Sequence, residues 1–246
     1  MKKNQINNAF YDDLEDWYGQ ENHPIALLRA ENRVRNPWIQ EVIALKLGAS
    51  ACILDIGCGG GMLTNFLAQQ GHSVFGIDLS ANSLKNAQRM DTTQTVSYQK
   101  ANAYALPFPE KKFDVVCAMD VLEHVEDCER LIKEASRVLK KGGLFFFHTF
   151  NRNVLSWLMV IKGVEWCVPN TPMNMHVYSL FLKPAELRSM CLRHGLKTEE
   201  MKGLNPDMRC AQFWKMVFFR KASCKIRFKF NHSLLSGYCG FSTKEK

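Results

Sequence analysis

Residues 51–78 read ACILDIGCGGGMLTNFLAQQGHSVFGID and contain two apolar runs separated by glycines and a helical segment. The first run, ACILDIG, ends with Asp55 and Gly57, and CGGGM forms a glycine-rich turn. LTNFLAQQG has helical spacing and closes at Gly71, and the second run, SVFGID, ends with Asp78. Strand, turn, helix and strand in this order predict one βαβ unit.

The segments that follow continue this alternation as far as residue 150. SANSLKNAQRM predicts a helix with Ser80 or Asn82 as its N-cap, and VSYQKA and FDVVCAMD predict two strands. CERLIKEASRVLKKGG (128–143) predicts an amphipathic helix stopped by its two glycines, and LFFFHTF (144–150) predicts the next strand. Strands that alternate with helices indicate an α/β fold with a parallel, doubly wound sheet.

The length and composition favour one elaborated domain over residues 1–246, because 246 residues with 46% hydrophobic content can bury a sizeable core. We divide it into an N-terminal helical cap (1–47), a cofactor-binding core (48–150), a substrate or membrane insertion (151–182) and a C-terminal completion of the sheet with a basic tail (183–246).

The cysteine content and the lack of a recognisable secretory or membrane-spanning segment predict a cytoplasmic protein. Nine cysteines, an odd number, occur without any CxxC pair, which favours a reducing compartment over a disulfide framework or a zinc site. The N-terminal segment MKKNQINNAFYDDLEDW has no apolar core, so it is not expected to be a secretory signal. No stretch approaches the roughly 20 apolar residues of a membrane-spanning helix.

The net charge of +8 is concentrated near the C-terminus, where eight basic residues after position 214 face one acid. These basic residues are Lys215, Arg220, Lys221, Lys225, Arg227, Lys229, Lys244 and Lys246. They could bind the phosphates of nucleic acid or of anionic lipid. Alternatively, KIRFKF is a strand with its basic side chains in solvent.

The unusual residues all follow predicted strands, at the sheet edge where α/β proteins bind ligands. Gly57, Gly59, Gly60 and Gly61 follow the first strand, and Asp78, seventeen residues after Gly61, ends the second. Glycines admit a ligand to the backbone, and an acid at this spacing can bind both hydroxyls of a ribose. The pair predicts a nucleoside-containing cofactor, although an ordinary turn and an Asp N-cap would also explain each feature separately.

The sequence LDIGCGGG with the downstream GID lacks the last glycine of the dinucleotide pattern and resembles class I S-adenosylmethionine-dependent methyltransferases. ANAYALPFPEKKFDVV and VLKKGGLFFF extend the resemblance. It implies a Rossmann-like, mostly parallel seven-stranded sheet with an N-terminal helical extension and a helical insertion after strand 5. It also implies that the cofactor is bound by Asp55, Gly57, Gly59, Asp78, Asn102, Ala103 and Met119, with Asp78 on the ribose and Asn102 and Ala103 beside the adenine.

AMDVLEHVED, TFNRNVLSWLMVIKG and LKPAEL resemble the ubiquinone-biosynthesis O-methyltransferases more narrowly. The similarity runs from about Phe10 to about Asn205, whereas the basic stretch matches loosely. It implies O-methylation of a polyprenylated phenol or catechol. The expected partners are this substrate, an anionic membrane surface on the inner face and other quinone-biosynthesis proteins, and nucleic acid is not expected.

Residues 118–125, AMDVLEHV, place Asp120, Glu123 and His124 at i, i+3 and i+4 of a helix predicted to start after Asp120. We assign these three residues as catalytic, because a phenol must lose its proton before it accepts a methyl group. Two carboxylates favour a hard cation such as Mg²⁺, and the family is described as magnesium-dependent with ligands from this motif. Asp120 is one methylene shorter than the Glu common in relatives.

Two other interpretations of this cluster stay open. His124 as a neutral imidazole could be the general base in place of a metal. Alternatively, Asp120 caps a surface helix, Glu123 completes a capping box, and His124 is merely polar.

Two segments outside the core are assigned less directly. Relatives can carry an arginine for the cofactor carboxylate two positions after an Asn-Pro pair, but Asn36 and Pro37 are followed by Trp38 and Ile39 here. Arg35, or else Arg33, could take this role, or be a solvated helix-face residue. VLSWLMVIKGVEWCV (154–168) predicts an apolar helix that lies in a membrane interface, covers an apolar pocket or packs on the core.

The sequence leaves two other functions open. A methyltransferase for another substrate, such as RNA, would use the basic tail, and a non-catalytic quinone- or membrane-binding relative would bind no cofactor. His148 ends the fifth strand and could enter the site, or be a satisfied polar residue at the strand terminus. His176 and Tyr178 could contact a substrate ring but are given no direct catalytic role, and Cys58 is taken as a small residue of the glycine loop.

Overall fold

A computed structural model describes residues 6–48 and 50–245 of the chain. Residues 1–5 of the predicted cap, Ala49 of the predicted core and Lys246 of the basic tail lie outside the described residues. The division into cap, core, insertion and C-terminal completion stays a prediction.

Within the described ranges, helices flank an eight-stranded sheet. The strands are β1 (Cys52–Ile56), β2 (Ser73–Asp78), β3 (Ser97–Lys100), β4 (Phe113–Met119), β5 (Leu139–Phe150), β6 (Leu196–Pro206), β7 (Phe228–Asn231) and β8 (Gly237–Lys244). The α-helices are α1 (Ala9–Asp12), α2 (Pro24–Leu47), α3 (Met62–Gln69), α4 (Ala81–Met90), α5 (Cys128–Val138), α6 (Val154–Ser156), α7 (Gly163–Cys167), α8 (Pro184–Arg193) and α9 (Ala211–Phe219). Short 3-10 helices span Leu122–His124 and Tyr178–Leu180, and a π-helix spans Trp157–Lys162.

The strand order is β3-β2-β1-β4-β5-β8-β6-β7. β1 to β5 are mutually parallel, β8 runs antiparallel to both of its neighbours, and β7 is antiparallel to β6. The predicted Rossmann-like, mostly parallel α/β fold is confirmed, with one strand more than the expected seven. β7 is the additional edge strand, and it overlaps the last three residues, 228–230, of the KIRFKF stretch.

The charges of KIRFKF alternate with its apolar side chains, as the strand interpretation predicts. Lys225, Arg227 and Lys229 are exposed, while Ile226 is buried and Phe228 is half-buried. The Asp207 carboxylate lies 3.1 Å from the Lys229 amino group and 3.7 Å from the Arg227 guanidinium. Two of the basic residues are therefore partly neutralised on the surface.

The helix predicted over 128–143 is shorter in the structure. α5 ends at Val138, and LKKGG already belongs to β5. Leu139 is fully buried and pairs with Phe113, while the Lys140 amino group donates to Asp114 at 2.7 Å. These contacts with β4 extend the strand past the two glycines that were expected only to stop the helix.

The centre of the sheet is buried on both faces. Adjacent residues of a strand point to opposite faces, and both Val115 and Val116 of β4 are fully buried. Val116 belongs to an apolar cluster with Leu131 of α5, and Val115 to another with Ile39 of α2. This double coverage explains why β1, β4 and β5 read as nearly continuous apolar runs.

The N-terminal segment lies over the glycine turn that follows β1. Trp17 is buried against Gly59 and Gly60, and a Cβ added to Gly59 would lie 2.6 Å from the indole. Gly59 also has a φ of +51°, which disfavours any other residue there. The Tyr18 hydroxyl donates to the Gly60 carbonyl at 2.9 Å. Glycine is thus required at this turn by both the backbone conformation and the covering indole.

Candidate active site

The carboxyl ends of β1, β2 and β4 lie side by side, because β1 pairs with both of the others in parallel register. After β1 the chain turns at once, and the backbone N–H groups of Gly57 and Cys58 donate to the Ile77 carbonyl at 2.8 and 3.0 Å. These hydrogen bonds hold the glycine turn against the end of β2. The turn has few side chains, so a ligand can approach its backbone at this edge of the sheet.

A cavity of about 590 Å³ lies at this edge, and we call it the glycine-loop cavity. Its lining includes most of the predicted cofactor and catalytic residues: Asp55, Gly57, Gly59, Asp78, Asn102, Ala103, Met119, Asp120 and His124. Segments from after four different strands thus meet in one space, as the parallel sheet predicts.

Two acidic side chains give this cavity its polarity. The Asp78 carboxylate accepts hydrogen bonds from the backbone N–H groups of Gly59 at 2.9 Å and Ser80 at 2.8 Å. Burial raises the pKa of Asp78 although these donors lower it. Burial and the nearby charges of Asp78 and Asp120 raise the pKa of Asp55 well above its usual range.

A second cavity of about 450 Å³ adjoins the first, and we call it the apolar cavity. Its walls come from α2, from the helical segment formed by residues 154–167, from α9 and from the ends of β5 and β6. Tyr11, Leu28, Asp120 and His124 line both cavities. A ligand in one cavity can therefore approach a ligand in the other at these side chains.

The turn after β4 differs from the predicted α-helix. Asp120 has a φ of +57°, and a short 3-10 helix, Leu122–His124, follows it. The Asp120 carboxylate turns back into the protein and accepts two hydrogen bonds from Arg35, at 2.6 and 2.5 Å. It is also hydrogen-bonded to Nδ1 of His148. Burial alone would raise the pKa of Asp120, but Arg35 and His148 hold it well below its usual range.

This arrangement changes the predicted role of Arg35. Its side chain is 1% exposed, it lines neither of the two cavities, and both terminal nitrogens are engaged by Asp120. Arg35 is therefore not a solvated helix-face residue, and it is not presented to a cofactor carboxylate in this structure. Arg33, the alternative, is exposed and donates to the Cys224 carbonyl at 3.0 Å.

The three predicted metal ligands are divided between two groups. The possible ligand atoms of Glu123, His124 and His176 lie within 4.8 Å of one another, whereas those of Asp120 group with Glu31 and His148. The positive φ of Asp120 separates the side chains that a regular helix would have placed on one face. The surface-capping interpretation also fails, because the N-cap of the 3-10 helix is Val121 and Glu123 is buried.

Burial is the main cause of the shifted pKa values of Glu123 and His124. Burial, and then the charge of Asp120, raise the pKa of Glu123 to about 7. Burial lowers the pKa of His124 to about 4, and burial together with the charge of His124 lowers the pKa of His176 to about 3. Both imidazoles are therefore neutral at neutral pH, and His124 is a weak base.

Comparison with known proteins identifies the family. A family model described as a methyltransferase domain matches residues 54–147. The ubiquinone biosynthesis O-methyltransferase of Thiobacillus denitrificans is 37% identical over 80% of this chain and 84% of the relative. That of Leptothrix cholodnii is 36% identical over 74% of this chain and 79% of the relative.

The chain belongs to the ubiquinone biosynthesis O-methyltransferase family. The resemblance seen in LDIGCGGG and AMDVLEHVED is thereby confirmed, and the protein is an S-adenosylmethionine-dependent O-methyltransferase. The fold agrees with this membership. A solved S-adenosylmethionine-dependent methyltransferase from Aquifex aeolicus is 12% identical, covers 98% of this chain and 100% of its own, and superposes with a TM-score of 0.60.

Several contacts at and behind the two cavities were not predicted from the sequence. Tyr11 of α1 places its hydroxyl 3.3 Å from Nε2 of His124, and His148 binds Asp120. His176 joins Glu123 and His124, although we gave it no catalytic role. The helix α9 lines the apolar cavity. Its apolar sequence, AQFWKMVFF, could have indicated this, but the C-terminal region was interpreted only through its basic residues.

We expect Arg35→Leu to destabilise the protein by about 3–5 kcal/mol, because it leaves the Asp120 carboxylate without its main partner in a buried site. Urea unfolding followed by circular dichroism measures the change. Arg33→Leu is the matched control on the same helix, where an exposed side chain should change stability by about 0.5 kcal/mol or less. Equal unfolding midpoints for the two variants would show that the buried ion pair contributes little.

Proposed function

We propose that the protein transfers a methyl group from S-adenosylmethionine to a phenol or catechol hydroxyl of a polyprenylated ubiquinone precursor. The observation that carries this proposal is that a glycine-lined cavity with buried acidic side chains and an apolar cavity share Tyr11, Asp120 and His124 in their linings. A methyl donor and an apolar acceptor held in these two spaces would meet at that shared wall.

The glycine-loop cavity fits S-adenosylmethionine by its chemistry. The open backbone at Gly57 and Gly59 can accept the methionine part, and the Asp78 carboxylate can accept hydrogen bonds from ribose hydroxyls. Asn102 and Ala103 would flank the adenine, and Met119 would lie against the donor. Asp55, whose pKa is raised by burial, lines the same cavity and can accept a hydrogen bond there.

The apolar cavity suits an aromatic ring with an isoprenoid tail. Leu158, Met159 and Trp166 line it from one side, and Phe213 and Met216 line it from the other. The polar side chains Glu123, His124 and His176 belong to the same lining and can receive a hydroxyl group. Such a cavity orients one end of an amphipathic substrate by hydrogen bonds and buries the rest.

The reaction needs an in-line approach of a phenolate oxygen to a methyl carbon. S-adenosylmethionine supplies that methyl on an electrophilic sulfonium. The protein supplies position, since holding both reactants at a shared wall removes much of the entropic barrier. Of the polar groups beside the acceptor, His124 is too weak a base to remove the proton alone, so its expected role as sole general base is disfavoured.

Mg²⁺ was expected to bind Asp120, Glu123 and His124, and these residues do not fit it. The Asp120 carboxylate is bound by Arg35 and His148, and its oxygens are not grouped with Glu123 and His124. One carboxylate remains beside imidazoles, whereas Mg²⁺ prefers oxygen ligands in near-octahedral geometry. We therefore propose no step that passes through Mg²⁺.

The function is tested by incubating the full chain with labelled S-adenosylmethionine and a short-tailed prenyl catechol, with product analysis by mass spectrometry. We expect one methyl group on oxygen, and we expect Glu123→Gln to lower kcat about 100-fold or more. Tight cofactor binding without any methylated catechol would overturn the substrate assignment, and RNA would then be tested as the acceptor. Absence of cofactor binding would instead indicate a non-catalytic relative.

Asp78→Asn should raise the KM for S-adenosylmethionine about 10-fold with little change in kcat, because ribose binding is similar in the ground and transition states. Asp91→Asn is the control, since Asp91 also accepts backbone hydrogen bonds, from Thr93 and Val96, but lines neither of the two cavities. Initial rates at varied donor concentration separate the two parameters. An unchanged KM in Asp78→Asn would remove the ribose assignment.

We also propose that the protein works at an anionic membrane surface on the cytoplasmic side. In the described part of the chain, no helix is long and apolar enough to cross a bilayer. Around the apolar cavity, however, large side chains stand in solvent, with Trp166 59% exposed and Phe218 and Phe219 each 70% exposed. Arg220 and Lys221 follow directly on α9. Exposed aromatics beside basic residues are typical of interfacial binding.

Sedimentation with anionic and neutral vesicles tests this attachment. The double variant Phe218→Ser/Phe219→Ser should bind anionic vesicles at least about 10-fold more weakly, because two aromatic side chains no longer enter the interface. Leu45→Ser/Leu192→Ser removes two other exposed apolar side chains, 76% and 60% exposed, which line neither of the two cavities. Equal loss in both variants, or no binding by the wild type, would contradict the proposal.

A further inference from the structure

The phenol ring of Tyr11 stands at the boundary between the glycine-loop cavity and the apolar cavity. Tyr11, Leu28, Asp120 and His124 line both cavities, and Tyr11 has the only six-membered aromatic ring among these four described side chains. A methyl group that passes from a donor in one cavity to an acceptor in the other crosses this boundary. The Tyr11 ring therefore lies beside the place where the two reactants would meet.

Contacts on several sides hold this ring in place. The hydroxyl groups of Ser80 and Ser83 donate to the Tyr11 backbone carbonyl at 3.2 and 3.1 Å. The Tyr11 ring stacks on the indole of Trp17, with centroids 5.9 Å apart and an angle of 20° between the planes. Its hydroxyl lies 3.3 Å from Nε2 of His124, and these two rings meet edge to face at 5.4 Å. Because the contacts are already made, little conformational entropy is lost when a ligand binds beside the ring.

The aromatic pair is attached to both groups that would hold the two sides of the sulfonium. The sulfonium joins the methionine part of the donor to the ribose, and in the proposed function Gly59 approaches the methionine part while Asp78 binds the ribose. The Gly59 N–H donates to the Asp78 carboxylate at 2.9 Å, so these two groups are adjacent. Trp17 packs on Gly59, and Tyr11 is hydrogen-bonded to Ser80, two residues after Asp78. A sulfonium held between Gly59 and Asp78 would therefore lie close to the aromatic pair.

We propose that the Tyr11 ring, held by Trp17, recognises the positive charge of the sulfonium and makes the enzyme prefer S-adenosylmethionine to its product, S-adenosylhomocysteine. The faces of aromatic rings attract cations, and the attraction grows where water is excluded. Methyl transfer turns the sulfonium into a neutral thioether, so the attraction ends with the reaction. Tyr11 thereby favours the exchange of the used product for a new donor. This inference rests on the proposed binding of the donor in the glycine-loop cavity.

Carboxylates in the same cavity, such as those of Asp55 and Asp78, also favour a cation, so the ring has to be tested with these charges left in place. Two substitutions of Tyr11 do this. Tyr11→Phe removes the hydroxyl and keeps the ring, whereas Tyr11→Leu removes the ring as well. The difference between the two variants therefore measures the ring and not the carboxylates or the hydrogen bond to His124.

Calorimetric titration of the full-length protein with each compound gives two Kd values, and their ratio is the preference for the charged donor. We expect Tyr11→Leu to reduce this preference about 5- to 30-fold, which corresponds to about 1–2 kcal/mol of cation–π attraction. Tyr11→Phe should keep most of the preference, because phenylalanine also offers a ring face to a cation. The melting temperature shows that each variant is folded. Should Tyr11→Leu fail to fold, Tyr11→Met carries the same expectation, since its unbranched side chain also lacks a ring.

Tyr104→Leu is the matched control. Tyr104 also lines the glycine-loop cavity, but it follows Asn102 and Ala103, where the adenine is expected. Both compounds carry the same adenine, so Tyr104→Leu should weaken both and leave their ratio unchanged. Equal weakening of both compounds by Tyr11→Leu, or an equal loss of preference in Tyr11→Phe, would overturn the inference alone. Failure of the wild type to bind either compound would overturn the proposed function together with it.

Discussion

The ion pair between Arg35 and Asp120 joins parts of the protein that are 85 residues apart in sequence. Arg35 lies on α2, Asp120 follows β4, and His148 on β5 completes the contact. Because the Arg35 guanidinium is buried, it must keep its carboxylate partner, which fixes the turn after β4 against the N-terminal helices. The position of this turn in turn determines which side chains face each cavity.

Because the Asp120 side chain turns toward Arg35, the three polar residues of AMDVLEHV belong to two separate side-chain clusters. Asp120, which lines both cavities, is bound by Arg35 and His148, whereas Glu123 and His124 group with His176 in the apolar cavity. A longer, regular helix would have presented all three side chains on one face. The left-handed backbone at Asp120 therefore explains why the Glu123 carboxylate lies beside the imidazoles of His124 and His176 and not beside the Asp120 carboxylate.

The C-terminal region forms part of the apolar cavity. α9 contributes one wall of the apolar cavity, and its Phe218 and Phe219 extend into solvent. α7 and α9 are in contact, and both helices line the cavity.

The sequence by itself determined the βαβ unit, the parallel sheet, the glycine turn and the acid Asp78, because each depends on neighbouring residues and on the periodicity of one element. The motifs LDIGCGGG and AMDVLEHVED also indicated the family. Only the tertiary structure decided that Arg35 binds Asp120, that His176 joins Glu123 and that α9 lines a cavity. These contacts join residues from separate elements, and a local pattern contains no information on which distant side chains the fold brings together.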